Sequence, residues 1–331
     1  MEHNGEVRLV IQIPCLNEAA TLPQTLRALP RDVEGFDEVL WLVVDDGSTD
    51  TTAEVARQNG ADIVVSLTQN KGLAVAFQAG LDAALKLGAD VIVNTDGDNQ
   101  YFADDIQKLI EPIVDGKADL VIGSRDIANH NEFSKSKKRL QRLGSWVVRQ
   151  ASKTDVADVT SGFRAYSKEA ALTVNVVSRF TYTLETVIQA GRSDLAVVDV
   201  PVRVNKTTRP SRLFRSKRQY VRRSAGTILR IYAMHEPIKV FALPAIVLAS
   251  VGSILFGRFA WFFCTSDGSG HVQSLIVGAV CLVLAFQLLM LGILGDLLRA
   301  NRVISERILK RVRSMELQAG AQIFDSEDRL L

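Results

Sequence analysis

The chain has 331 residues, room for one large domain or one domain with an appendage, and a formal net charge of only +2. Its hydrophobic content of 47% and mean hydropathy of +0.12 are high for a purely soluble protein. Its three cysteines, Cys15, Cys264 and Cys281, are odd in number and far apart, which excludes a disulfide framework and a zinc-ligand spacing.

Residues 1–14 include Glu2, Asn4, Glu6 and Arg8 and only a short apolar stretch. No signal peptide is expected ahead of the first domain, whose expected compartment is the cytosol. Up to about residue 125, short apolar strands alternate with helical patterns. The expected strands are Leu9–Ile13, Val39–Val44, Ile63–Ser66, Val91–Asn94 and Leu120–Ile122; the expected helices are Thr21–Leu29, Thr52–Asn59, Leu73–Leu87 and Asp104–Val114. Such alternation predicts parallel βαβ units in an open, doubly wound sheet, with ligands beyond the carboxyl ends of the strands.

Chemistry-bearing residues cluster at those ends. After the first strand comes Ile13-Pro14-Cys15-Leu16-Asn17-Glu18, after the second Asp45-Asp46-Gly47-Ser48-Thr49-Asp50. Asn70-Lys71-Gly72 opens a helix, and Gly123-Ser124-Arg125 follows the fifth strand. After the fourth strand comes Thr95-Asp96-Gly97-Asp98-Asn99-Gln100. Asp96, Asp98 and Gln100 fall at alternate positions, so in an extended segment their oxygens share a side, a pattern suited to Mg²⁺ or Mn²⁺. Alone, D-x-D fits an ordinary acidic loop equally well.

Residues 126 to about 205 are less regular, with a basic segment (Lys135, Lys137, Lys138, Arg139, Arg142), a loop Asp158-Val159-Thr160-Ser161-Gly162-Phe163-Arg164, and helical patterns near Leu140–Ser152 and Thr183–Gln189. Between Asn205 and His235 lie nine Lys/Arg and no Asp or Glu, interleaved with apolar residues such as Leu213, Phe214, Tyr220 and Ile228. Directly before an apolar run, this mixture suits an amphipathic helix at a membrane surface better than a nucleic-acid patch. Val240–Cys264 and Val272–Leu298 are almost wholly apolar, and each is long enough to cross a bilayer core, which takes about 20 helical residues. Lys and Arg flank both outer ends and are absent from the Thr265–His271 loop, so the hairpin is expected to have both ends in the cytosol; Arg258 fits that scheme poorly. The expected organisation is 1–205 catalytic, 206–238 juxtamembrane, 239–300 a two-helix hairpin and 301–331 a cytosolic tail.

Together, the strand-end motifs resemble the family 2 glycosyltransferases of the GT-A, nucleotide-diphospho-sugar fold. Thr160-Ser161-Gly162-Phe163-Arg164-Ala165-Tyr166, Leu184-Glu185 and Thr208-Arg209-Pro210-Ser211 narrow the resemblance to polyprenyl-phosphate glycosyltransferases, such as dolichyl-phosphate mannose synthases and bacterial undecaprenyl-phosphate glucosyltransferases. The resemblance implies an α/β GT-A fold, an open mostly parallel sheet with helices on both faces, plus a juxtamembrane amphipathic helix and two transmembrane helices. It implies Pro14, Glu18, Asp45, Asp46, Lys71, Asp96 and Arg209 on the nucleotide-sugar, and Asp98, Gln100 and Asp96 on Mg²⁺ or Mn²⁺. Arg125, Lys138, Arg139, Arg142 and Arg164 would face the acceptor phosphate, with Asp96, Asp98, Arg125 and Arg139 catalytic. Family members often carry Arg-x-x-Gly-x-Ser-Lys near Arg209; here Arg209-Pro210-Ser211-Arg212 lacks the Gly.

The implied reaction is an inverting transfer of a hexose from a nucleotide-diphospho-sugar, UDP-hexose favoured over GDP-mannose, to undecaprenyl or dolichyl phosphate. The implied partners are that donor, the lipid acceptor, the membrane and further copies of the chain through the hairpin, and no nucleic acid. A processive polysaccharide synthase would want Gln-x-x-Arg-Trp, but Gln219-Tyr220-Val221-Arg222-Arg223 lacks the Trp. A dinucleotide oxidoreductase would want Gly-x-Gly-x-x-Gly after the first strand, where Pro14-Cys15-Leu16-Asn17-Glu18 stands instead. An inactive membrane scaffold would be expected to lose the acidic pair, and Asp96 and Asp98 are present.

Overall fold

A computed structural model describes residues 7–125, 152, 154–176, 182–205, 232–234, 236–265 and 272–318. Seven strands form one sheet: β1 Arg8–Cys15, β2 Glu38–Asp45, β3 Ile63–Ser66, β4 Val91–Asn94, β5 Leu120–Arg125, β6 Arg164–Ser167 and β7 Val197–Val202. Their order is β3-β2-β1-β4-β6-β5-β7. The first four are parallel, β6 runs antiparallel to both β4 and β5, and β7 is parallel to β5. The helices are α1 Leu22–Ala28, α2 Thr52–Gln58, α3 Leu73–Lys86, α4 Ile106–Val114, α5 Lys168–Thr173, α6 Thr183–Arg192, α7 Pro237–Thr265 and α8 Val272–Gln318.

The first five strands lie where their apolar runs predicted, because a parallel sheet covered on both faces needs near-continuous hydrophobic strands. Leu9, Ile11 and Ile13 pack on one face with Leu22, Leu26, Trp41, Leu109 and Ile110. On α3, buried Phe77, Leu81 and Ala84 recur at helical spacing. This helix approaches the sheet closely at Gly80, where a Cβ would sit 3.1 Å from Val44 Cγ2 and run into the Gln12 amide. β1 extends past the predicted end through Pro14, paired in register with Val44. Pro is tolerated there because the β1–β4 ladder stops at Gln12 and Asn94, so no amide is needed on that side.

β6 and β7 have no counterpart among the predicted strands. β6 is only four residues long and takes its place between β4 and β5 through long-range pairing alone. β7 alternates weakly and carries Pro201 at the sheet edge.

The chain divides into two compact units, residues 1–221 with 306–331, and residues 222–305. In the second unit, α7 and α8 are both long and apolar enough to cross a membrane. They approach closely at Gly252, where a Cβ would lie 2.9 Å from the Gly278 carbonyl oxygen. Gly292 and Gly295 on α8 also face α7: a Cβ on Gly295 would lie 2.6 Å from Pro237 Cβ. The residues expected to form a tail are helical as far as Gln318. In the first unit, Arg313 pairs with Asp82 at 3.1 Å and donates to the Val174 carbonyl at 3.0 Å, and Lys310 pairs with Glu169.

Candidate active site

The loops after β1, β2 and β4 converge because each satisfies the others' backbone. The Asp46 amide donates to the Cys15 carbonyl at 2.9 Å. The Asn17 amide donates to Ser48 Oγ at 2.9 Å, and the Glu18 amide to Thr52 Oγ1 at 2.9 Å. In return, Asn17 Oδ1 accepts the Thr49 amide at 2.8 Å. Thr25 Oγ1 donates to the Gly97 carbonyl at 3.0 Å, tying α1 to the acidic loop. Gly97 must be small: a Cβ there would lie 2.8 Å from Cys15 Sγ. Pro14 is buried in the floor, and Glu18 is half-buried, its carboxylate accepting Thr21 Oγ1 at 2.7 Å.

Asp45 and Asp46 are almost closed to solvent, at 6% and 3% exposure. Asp45 accepts the Ser48 amide at 3.0 Å. Asp46 accepts the Lys71 amide at 2.8 Å on one oxygen and the Gly72 amide at 2.9 Å on the other. Burial pushes its carboxyl up despite those two amides. Asp46 thus fastens the turn that starts α3, while the Lys71 side chain is exposed. Gly47, at φ +67°, allows this approach, since a Cβ would lie 2.6 Å from the Asn70 nitrogen.

The acidic pair gathers like charges in a confined space. Desolvation, reinforced by Asp98 and Glu18, pushes Asp96 up to about 7, with Arg125 pulling the other way. Asp98 Oδ1 accepts the Gln100 amide at 3.2 Å. Oxygen donors that repel one another suit a hard divalent cation. Among the described residues, no three His, Cys, Asp or Glu side chains gather as a ligand set. Mg²⁺ ordinarily takes one or two carboxylates and completes its shell with substrate oxygens.

Behind Asp96 runs a buried polar chain absent from the sequence-based site. Gln12 Nε2 donates to Asn94 Oδ1 at 2.9 Å; Asn94 Nδ2 donates to the Gly162 carbonyl at 2.7 Å and to Tyr182 Oη at 3.0 Å. Gly162 packs flush on Asp96, since a Cβ would lie 3.1 Å from Asp96 Oδ1 and 2.9 Å from Tyr182 Oη. Tyr182 stacks on Phe77 with ring centroids 3.9 Å apart. Only tertiary contacts reveal this chain: a Gln or Asn within an apolar strand is its one local trace.

Arg125 ends β5 with its guanidinium held by Asp158 (2.7 and 3.2 Å) and Thr160 Oγ1 (3.0 Å). Asp158 is 1% exposed, and the Arg125 charge holds its carboxyl below the usual range even though burial opposes this. Arg164 corrects an expectation. It lies in β6, fully buried, donating to the Ser161, Thr183 and Val159 carbonyls and to Thr186 Oγ1 at 2.6–2.9 Å. Four of its five N–H donors knit loop 158–163 to α6, and with no exposed surface it does not face an acceptor phosphate. Lys138, Arg139, Arg142 and Arg209 lie outside the described residues.

Residues 10–174 match the family described as Glycosyl transferase family 2. The chain is 31% identical over 213 residues to the UDP-N-acetylglucosamine–dolichyl-phosphate N-acetylglucosaminyltransferase of Methanococcus voltae, covering 58% of this chain and 83% of that protein. The chain belongs to glycosyl transferase family 2. This glycosyltransferase is also 31% identical over 206 residues to the undecaprenyl-phosphate mannosyltransferase of Micrococcus luteus, covering 59% of this chain and 83% of that protein. Glycosyltransferase AglJ of Haloferax volcanii is 29% identical over 318 residues, 92% of this chain and 97% of that protein. Among solved structures, glucosyl-3-phosphoglycerate synthase from Mycobacterium tuberculosis, in complex with Mn²⁺, UDP-glucose and phosphoglyceric acid, shares the fold. Its TM-score is 0.51 at 21% identity, over 69% of this chain and 80% of that one. The GT-A expectation therefore holds for the sheet and its helices.

Proposed function

We propose that this glycosyltransferase moves a hexose from a nucleotide-diphospho-sugar, a UDP-hexose in preference to GDP-mannose, onto a membrane polyprenyl phosphate of the undecaprenyl or dolichyl type. The observation that carries the proposal is the meeting, at the strand ends, of a carboxylate pair whose members repel one another and an arginine anchored by Asp158. Two bilayer-length helices on the same chain and the names of the lipid-phosphate relatives support the acceptor class.

In this reading, Pro14, Glu18 and Asp45 line the nucleoside pocket, Asp46 shapes it by holding the Lys71–Gly72 turn, and Arg209 reaches the diphosphate. Asp98, Asp96 and Gln100 hold Mg²⁺ or Mn²⁺, which when bound neutralises charge on the departing diphosphate. The acceptor phosphate is already an anion and needs no general base, unlike a sugar hydroxyl. Arg125, with Lys138, Arg139 and Arg142, offsets its repulsion from the donor. A phosphate oxygen forms a bond to the anomeric carbon as the bond from that carbon to the diphosphate breaks, its electron pair leaving with the nucleoside diphosphate. One such displacement inverts the anomeric centre, so an α-linked donor gives a β-linked product. The flanking Lys and Arg support a cytosolic face for the catalytic unit, and association with further copies through the hairpin completes the reading.

The test uses full-length protein in detergent, polyprenyl phosphate, Mn²⁺ or Mg²⁺ and a panel of radiolabelled UDP- and GDP-sugars. Label from one donor extracted into organic solvent and lost with EDTA is the expected result. No label from any donor, with folding verified, overturns it.

A further inference from the structure

Asn205 is the end of the described stretch that follows β7, and it clasps the loop carrying Asp98 and Gln100. Its amide donates to the Gln100 carbonyl at 2.8 Å. Its side-chain Nδ2 donates to the Asn99 carbonyl at 2.8 Å and to the Tyr101 carbonyl at 3.4 Å. Three successive carbonyls of the acidic loop are thus turned toward one residue more than a hundred positions away. The pairing is reinforced on either side. Tyr101 bridges Val204, the Phe102 amide reaches the Arg203 carbonyl at 3.4 Å, and the Arg203 amide donates to the fully buried Asp105 at 2.7 Å.

The loop needs such a clasp. Asn99 has φ +54°, a left-handed conformation that a non-glycine residue keeps only when its surroundings over-determine it. Asp98 and Gln100 sit on either side of that turn, so the backbone angle at Asn99 decides whether their oxygens face one point. A core-packing role explains none of this: Asn205 is half-buried, and its contacts are to main-chain oxygens. An Asp in its place would turn a carboxylate on the same carbonyls.

We propose that Asn205 is a positioning residue for the cation–diphosphate end of the site, holding Asp98 and Gln100 in their binding arrangement through the backbone. This rests on the reading above that these residues hold the divalent cation. Residues that orient a metal's ligands contribute about 10–100-fold to its affinity. The test is UDP binding to the full-length protein in detergent by titration calorimetry, once with Mn²⁺ and once with EDTA, for the wild type, Asn205→Ala and the isosteric Asn205→Asp. In both variants the Mn²⁺-dependent gain in UDP affinity is expected to fall by about tenfold or more. UDP affinity in EDTA and the melting temperature are expected to hold. A purely structural role would weaken UDP equally in both conditions. That result, or no change in either variant, overturns the proposal. If wild-type protein binds UDP equally with Mn²⁺ and EDTA, the cation reading itself fails and this inference with it. If Asn205→Ala does not fold, Asn205→Asp alone decides.

Discussion

The acidic loop after β4 and the arginine-bearing edge after β5 are built in opposite ways. At Asp96 and Asp98, carboxylates repel one another and burial raises one of them to about 7. Arg125 and Arg164, by contrast, sit among partners: Arg125 is forked onto Asp158 and Thr160, and Arg164 is spent on three carbonyls and a hydroxyl. Like charges held together in a crevice cost stability and are kept where a ligand completes them. Charge fully compensated is architecture. Two arginines therefore differ in kind: Arg125 retains partial exposure, whereas Arg164 has none.

The largest expected effect lies on the carboxylate side. Asp98→Ala should lower transfer by about 10³-fold, the scale of losing a preorganised electrostatic group, while leaving the melting temperature intact. Full activity in that variant would remove Asp98 from the site. Arg164→Ala should do the reverse in character. Deleting a buried, multiply bonded guanidinium takes the Arg164 donor from the Val159 and Ser161 carbonyls and should lower unfolding stability by about 3–5 kcal/mol. Thermal unfolding in detergent reads this directly; an unchanged melting temperature would refute the structural assignment.

Gly162→Ala probes the seam between the two regions. Its Cβ would press on Asp96 and Tyr182, so turnover should fall by about tenfold, an overpacking cost on the order of 1–3 kcal/mol. Steady-state kinetics against Gly162→Ser, which should be at least as poor, tests whether space is the cause.

The smallest effect is in pH. The Asp158 carboxyl is lower in the folded protein than unfolded, so its stabilisation is fully present above the unfolded value of about 3.9. It is lost as pH falls through the lower folded value. The acid limb of the melting temperature should flatten in Asp158→Asn, though that variant starts less stable. An identical acid limb would mean that the Arg125 pair contributes nothing to acid sensitivity.

Much of the site was legible because its signals are local. Asp45-Asp46, Asp96-Gly97-Asp98 and Arg125 each follow an apolar run of strand length, and a parallel sheet gathers such ends at one edge whatever lies between them. The two long apolar helices were equally plain, since bilayer thickness alone sets their length. What escaped were groups whose partners are distant in sequence. Asn94 meets Tyr182 across 88 positions, and Asn205 meets Asn99 across 106. β6, four residues threaded antiparallel between β4 and β5, has no periodicity long enough to announce it. That insertion also reassigned Arg164, because a residue's charge is visible in the sequence but its burial is not. Composition and strand-end spacing by themselves determined the fold class and the acidic pair, since these depend on short-range patterning, while the family rested on the resemblance of the strand-end motifs. Only the tertiary structure decided which polar residues face the crevice and which hold it in shape, since that depends on which distant hydrogen-bond donor each buried oxygen meets.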